Sequence, residues 1–440
     1  MSTLKVDDIQ SRQSTDDAIS LASDSSVSLK HSASAKLTTT STGVTVTGTC
    51  TATAFSGDGS ALTGLSAGVS SDSSRNTVGG TDSGSSLTTG SGNTLYGYKA
   101  GEDVTSGFNN TFLGDRVAPS LTDGHTNTVI GAEAGSALTS GYYNDLFGGY
   151  AGKDITSGNN NTCIGSQSGK AITTGDNNSI FGYQAGSNLQ TINGEAYFGY
   201  QAGQANTTGV ENTFLGYQAG KANTTGRENV FVGRICGEAN TTGQNNTGLG
   251  CLALMSLTTG YGNTCIGRYA GGSLTGGSSL FDGGLNVCVG LGAGGTLTTG
   301  KYNIVLGAFT DASSATVDGE ITLGNTSMST LRCNTSTISS LSDRRDKTDI
   351  VNLTTGLDFI NTLIPRQFKW QTRDGNVKDG LVRAGFIAQE LQEAQKDCDF
   401  LDLVYDSNPD KLEATQGNLI PVLVKAIQEL SAQVDALKVG

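Results

Sequence analysis

Between residues 76 and 320 the polar and apolar positions of this chain recur on one fixed period. Asparagine steps every 17 residues from Asn76 to Asn263, with Glu195 filling the single gap. Each is followed four residues later by glycine, from Gly80 to Gly267. After a six-residue insertion around Ser279–Gly284 the register resumes at Asn286, Asn303 and, degenerately, Glu320, which makes fifteen coils. The second and third positions after each asparagine are apolar, as in Phe112-Leu113, Val129-Ile130 and Phe214-Leu215. The seventh is usually alanine, and the eleventh is mostly Leu, Ile or Val but becomes Asn206, Asn223 and Asn240 in the middle. Short apolar strands bounded by fixed glycines at this period predict a β-solenoid or β-roll whose coils stack at strand spacing. Fifteen coils at ~4.8 Å each give a rod of roughly 70 Å. Neighbouring strand residues point to opposite faces, so the paired apolar residues cannot both enter one core. One column fills the coil, and the other is expected to meet another subunit. Three copies around an axis would bury that outer stripe, so the pattern predicts a homotrimer.

The flanks differ from the ladder. Residues 1–67 are Ser/Thr/Asp-rich, with short β-prone pieces at Leu37–Thr40 and Val44–Gly48 and a turn signal at Gly57-Asp58-Gly59. This stretch has too little apolar surface to fold alone and is read as a β-rich attachment and shaft region. The repeat region spans 68–337. Residues 338–440 read as a small α+β domain: a short helix near Gly356–Leu363, an aromatic strand at Pro365–Trp370, and a segment from Gly385 to Glu393 that becomes helical. A hairpin or loop follows around Pro409. Last comes a seam at Ile420, Leu423, Ile427, Leu430, Val434 and Leu437, whose 3,4 spacing predicts a coiled-coil helix. The predicted fold class is thus mainly β, a trimeric solenoid of 17-residue repeats followed by a small domain ending in a coiled-coil helix.

Composition sharpens this picture. Residues 342–440 hold 12 of the 27 Lys+Arg, 16 of the 40 Asp+Glu, three of the four prolines and the only tryptophan, so the charged chemistry is concentrated behind the ladder. The 63 glycines lack a G-X-Y period, which excludes collagen. A formal charge of −13 argues against nucleic acid as a partner. No apolar run reaches membrane-spanning length and Met1–Asp24 has no signal-peptide core, so neither membrane insertion nor general secretion is expected. The eight cysteines form no zinc spacing, and His31 and His125 stand apart, so no metal and no cofactor are expected.

The chemistry-bearing stretch is Ser342-Asp343-Arg344-Arg345-Asp346-Lys347, at the border between ladder and C-terminal domain. A hydroxyl five residues before a lysine, among cations able to lower that lysine's pKa, makes a Ser/Lys dyad chemically possible. Four segments in order, Ser342-Asp343-x-Arg345-x-Lys347, the Phe368/Trp370 strand, Gly385-Phe-Ile-Ala-Gln389-Glu390 and the helix around Leu419–Ile427, together resemble one family. It is the C-terminal intramolecular chaperone, auto-processing domain of phage tail spikes and fibres, and the likeness covers about Ser342–Lys438. The resemblance implies that this domain trimerises, sets the register of the fibre before it, and then cuts itself off. It implies a scissile bond at Leu341–Ser342, Ser342 as nucleophile, Lys347 as general base and a released fragment 342–440. Asp343, Arg345, Gly385, Gln389 and Glu390 are then supporting motif residues. Asp346 departs from the apolar residue expected before the lysine and could hold Lys347 protonated. Leu4–Gln10 and Phe55–Leu65 also resemble pieces of cyanophage tail-fibre proteins, and the repeat is similar to the heads of trimeric bacterial adhesins.

The expected function is a phage tail fibre, assembled in the host cytoplasm and carried on the virion tail. Its N-terminus would dock on other tail or baseplate proteins and its ladder would meet a host receptor, most simply a surface glycan. Tyr183, Tyr200 and Tyr217, each followed by glutamine, occupy one site in three successive coils, and the insertion loop carries Phe281 and Asp282. These five are the candidate receptor contacts. The alternatives are a polysaccharide-degrading tail spike and a non-viral adhesin-like solenoid. The first would need a carboxylate pair, and acidic residues in the ladder are scattered.

Overall fold

The computed structural model describes residues 8–10, 17–21, 26–31, 34–41, 43–49, 70–276, 284–328, 330–334, 342–373, 375 and 377–439. They belong to two compact units, Met1–Leu65 and Ser66–Gly440. In the first unit the β-prone pieces form five antiparallel strands in sequence order, Asp8–Gln10, Asp17–Leu21, Val27–His31, Ser34–Thr40 and Gly43–Val46. The expected turn at Gly57–Gly59 and the whole of Phe55–Leu65 lie outside the described residues.

In the second unit, Ser70–Ser71 forms a hairpin with Thr77–Gly79. From there three-residue strands follow one another to Ile321–Leu323, each pairing parallel and in register with its predecessor in one sixteen-stranded sheet. A constant period puts like residues in columns, and the columns explain why the sequence folds this way. The residue two after the asparagine points inward and is fully buried in most coils, as at Leu95, Phe112, Val129, Ile180 and Phe214. The alanine and eleventh-position columns close the same core, with Ala134, Ala151, Leu138 and Ile155 at 0% exposure. Tyr197, Phe214 and Phe231 stack inside it at centroid separations of 4.9 and 5.2 Å.

The asparagines form the rungs that hold the coils together. Asn93 donates its backbone N–H to Asn76 Oδ1 at 2.9 Å and one Nδ2 hydrogen to the same oxygen at 3.0 Å. Its other Nδ2 hydrogen goes to the Gly107 carbonyl of its own coil at 2.8 Å. The same three bonds recur at Asn110, Asn127, Asn144 and Asn161, and again at Asn229 and Asn246. Every capacity of the amide is used, which is what allows it to be buried without a desolvation penalty. On the outer corner threonine hydroxyls repeat the device more weakly, each bonding the carbonyl one coil on, as from Thr105 to Thr122. The glycine column answers a different need: Gly199 has φ +142°, and a Cβ there would lie 2.2 Å from the Gly216 carbonyl oxygen.

The outward column is the other half of the pattern. Tyr96, Leu113, Ile164, Phe198, Leu215, Ile266 and Leu306 stand in one row at 37–50% exposure. Among the outward positions of the parallel strands, first and third after each asparagine, Asp145 alone is charged.

Behind the ladder, α1 (Leu357–Thr362), α2 (Ala388–Ala394) and α3 (Ile420–Val439) surround two short antiparallel pairs, Arg366–Lys369 with Val382–Gly385 and Val404–Tyr405 with Glu413–Ala414. The elements expected from the sequence are all present. Phe359, Leu391, Leu401, Leu403, Val404, Leu419 and Val422 form their core. α3 buries Val422 and Ala426, while its seam residues Ile420, Ile427, Leu430 and Leu437 remain exposed. The domain touches the last coil: Tyr405 Oη donates to Glu320 at 3.1 Å and Asn408 Nδ2 to the Ser313 carbonyl at 2.9 Å.

Asn127→Ala strands the buried Asn144 N–H and the Gly141 carbonyl together. It is expected to cost about 2–5 kcal/mol in denaturant unfolding of the full chain. Gly199→Ala, which meets backbone rather than a movable side chain, is expected to prevent the central coils from stacking at all, read as loss of β-signal in circular dichroism.

Candidate self-processing site

The site is built by a single short turn. Asp343, extended at φ −69° and ψ 138°, caps a 3-10 turn over Arg344–Asp346 by accepting the Arg345 backbone N–H at 2.8 Å. The same carboxylate takes a fork from the Arg345 side chain, with Nη2 at 2.6 Å and Nε at 3.1 Å. That guanidinium holds Asp343 below the usual carboxylate range. The turn reverses the chain, so Lys347 comes back alongside Ser342, and Lys347 Nζ lies 2.5 Å from Ser342 Oγ. An amine and a hydroxyl in hydrogen-bond contact are the pair that general-base activation of a serine requires. Asp346 lies between them in sequence, yet among the described residues no ion pair joins it to Lys347. All six residues of the turn are exposed. Leu341, the other side of the expected scissile bond, lies outside the described residues.

The remaining motif residues sit elsewhere in the domain. Gly385 ends its strand opposite Arg366, and a Cβ there would come within 3.3 Å of the Phe368 ring. Glu390, in the first turn of α2, accepts both arms of Arg366, Nη2 at 2.7 Å and Nε at 3.1 Å. This pair ties α2 to the aromatic strand and holds Glu390 below its ordinary range. Gln389 lines an apolar cleft of about 430 Å³ with Leu363, Ile364, Phe386 and Leu391. Among the described residues no hydrogen bond or ion pair links Gly385, Gln389 or Glu390 to Ser342 or Lys347.

Sequence reasoning missed Arg366, whose partner is 24 residues away. It also missed Glu429 of α3, which accepts the Leu357 N–H at 2.7 Å and so caps α1 across a separation of 72 residues. Gly356, the residue before α1, offers no side-chain cap of its own, and a Cβ on it would meet the Glu429 carboxylate at 2.4 Å.

On the solenoid, Tyr183, Tyr200 and Tyr217 stack at 5.5 and 5.2 Å and are 42–45% exposed. The Arg234 guanidinium lies 5.8 Å from the Tyr217 ring centre. The glutamines that follow bond to one another: Gln184 to Gln167, Gln201 to Gln184 and Gln218 to Gln201, at 2.9–3.0 Å. Part of each amide is therefore spent inside the ladder. Phe281 and Asp282 lie outside the described residues. A second aromatic group escaped the sequence reading. Phe108, His125 and Tyr142 stack at 4.6 and 5.0 Å, with Tyr143 edge-on to His125 and Tyr142. Its signal was available, for all three stacked rings stand two residues before the asparagines of successive coils.

Among the described residues no cluster of His, Cys, Asp or Glu could hold a metal ion, and no helix is long and apolar enough to cross a membrane. Residues 342–400 match the model of the Peptidase S74 family, chaperone of endosialidase. The match begins at Ser342, the first residue of the turn. No curated protein matches the chain. A chaperone-of-endosialidase module behind a β-solenoid body fits a phage tail fibre or spike that carries its chaperone at the C-terminus.

Glu429→Ala is expected to speed hydrogen exchange at the Leu357 amide relative to Glu429→Gln, which keeps an acceptor. Equal exchange in the two variants would mean that Glu429 does not cap α1.

Proposed function

We propose that this protein is the homotrimeric tail fibre of a phage, held in register by its C-terminal domain, which then releases itself at Leu341–Ser342. The observation that carries the reading is the Lys347–Ser342 contact at the first residue of the matched module, which follows the ladder in sequence. In the reaction Ser342 Oγ attacks the Leu341 carbonyl carbon while Lys347 Nζ takes the hydroxyl proton. The C–N bond breaks, the proton passes to the departing Ser342 amine, and Leu341 is left as an ester on Ser342 Oγ. Water hydrolyses the ester, giving a Leu341 carboxylate and the free 342–440 fragment. Nucleophile and carbonyl belong to adjacent residues, so proximity costs nothing further and deprotonation is the remaining need.

The trimer is supported by two unpartnered surfaces on one chain, the nearly uncharged outer face of the sheet and the exposed seam of α3. Registering three β-rich chains is slow and prone to slip, so a transient clamp speeds folding. Its removal leaves a fibre guarded by a high unfolding barrier. Within this reading the first unit attaches to other tail or baseplate proteins, and the stacked tyrosines meet a host glycan, with ring edges and hydroxyls as the contact surface.

The mass of the purified chain tests the cut directly, since a fragment 342–440 is expected. Ser342→Ala and Lys347→Ala are each expected to reduce release by at least about a hundredfold while leaving the trimer intact. Release of the same fragment from Ser342→Ala at an unchanged rate sinks the dyad. Residues 1–341 expressed alone are expected to give few soluble, heat-resistant trimers, as read by light scattering; abundant ones would remove the clamp role. Tyr200→Ser combined with Tyr217→Ser is expected to abolish host adsorption in folded trimers, and undiminished adsorption would place receptor contact elsewhere.

A further inference from the structure

Before its last rung, Glu320, the asparagine ladder breaks once, at Glu195, and this break is buried: Glu195 is 1% exposed in the middle of the solenoid. The coil before it departs as well, closing at Ile192 where most coils close with glycine. Between successive asparagines a rung sends two donors, a backbone N–H and an amide N–H, to the Oδ1 below, as Asn178 does to Asn161. Here Asn178 Oδ1 receives only the Glu195 backbone N–H, at 3.0 Å. A carboxylate has no hydrogen to replace the missing amide donor. Glu195 Oε2 is well used, accepting from Tyr197 Oη at 2.6 Å and from the Asn212 N–H at 3.2 Å. Tyr197 Oη in turn accepts from Asn206 Nδ2, at 2.5 Å, so the direction of the chain Asn206 to Tyr197 to Glu195 is fixed. Glu195 Oε1 is fully buried and has no hydrogen-bond partner. The rung therefore holds one orphan oxygen on Glu195 and one acceptor below it that lacks its usual second donor.

We propose that Glu195 is a proton-binding site built into the solenoid: folded, it is the neutral acid, with the proton on Oε1 standing in for the amide hydrogen that Asn178 Oδ1 receives in other coils. The neighbouring polar groups agree with this. Tyr197, Asn206 and the Glu211 backbone come from its own coil, Asn178 from the coil before and Asn212 from the coil after; none of them is a cation. Burial pushes the Glu195 carboxyl up from 4.5 to about 7, against the opposing pull of the Tyr197 and Asn212 hydrogen bonds. The unfolded chain, with an ordinary carboxyl, then loses its proton first as pH rises. Stability conferred by the proton is complete below about pH 4.5, declines up to about pH 7 and is level beyond. At Glu320, the other glutamate in a rung position, partial burial is outweighed by hydrogen bonds from Ser313 and Thr322, which hold it below the ordinary range. The central coils are therefore where a rung carboxyl is pushed up and stability falls as pH rises.

Glu195→Gln is the deciding variant, because its amide is a permanently neutral copy of the acid. Thermal unfolding of the full chain is compared with the wild type from about pH 4 to about pH 8. The wild-type midpoint is expected to fall relative to Glu195→Gln across the interval between the two pKa values and to run parallel above it. A difference that does not change with pH overturns the proposal. Infrared difference spectra of the wild-type chain between the same limits give an independent reading. A buried protonated carboxyl band that disappears near neutrality, and is missing from Glu195→Gln, supports it. A wild-type spectrum without such a band at mildly acidic pH overturns it, whether or not the variant folds.

Discussion

A three-residue strand cannot stand by itself, and what lets fifteen of them stack here is the buried asparagine amide. Each rung is a side chain with two donors and one doubly accepting oxygen, and each capacity is met by the coil below, the coil above or the coil's own closing carbonyl. In a low-dielectric interior such bonds are strong when complete and costly when incomplete. The ladder is thus cooperative along its length. A coil gains its full set of bonds only when both neighbours are present, which is why repeats of this kind behave as a stacked array.

That constraint governs the rest of the solenoid. Coils held at strand spacing leave no room for a Cβ where one glycine faces the next, as the 2.2 Å approach at Gly199 shows. They also force like residues into columns. One apolar column is consumed in the core, and the other is left in a row on the outer face, from Tyr96 to Leu306. A sheet face this long with one charge has the apolar character on which the proposed trimer rests. The exposed seam of α3 at the other end of the same unit has the same character. Two surfaces of matching kind, far apart along the chain, are the physical basis for reading the C-terminal domain as a clamp.

The Ser342–Lys347 turn obeys a different rule. Nothing long-range is needed to bring Lys347 to Ser342, because the Asp343 cap and the intervening 3-10 turn do so within six residues. The Ser342–Lys347 contact was accordingly legible before any fold was known, and so was the break at Glu195. The supporting residues were legible only as a motif. Their actual work, Glu390 on Arg366 and Gly385 beneath Phe368, is structural bracing of the domain that carries the turn.

The amino-acid sequence by itself determined the repeat, its period, that one of the two apolar columns is buried and the other faces outward, the helices and strands of the C-terminal domain and the pairing of Ser342 with Lys347. All of these depend on interactions at short or constant separation, where spacing alone dictates which groups meet. Tertiary structure decided the rest. It placed Glu429 on the N-terminus of α1, Arg366 on Glu390 and Tyr405 on Glu320, and it showed that the Tyr183–Tyr217 glutamines bond to one another. It also left Glu195 with an unpartnered oxygen. These contacts join segments at irregular separations, or depend on whether a neighbouring group has already used its donor. No periodicity encodes either, because both follow from how the elements pack.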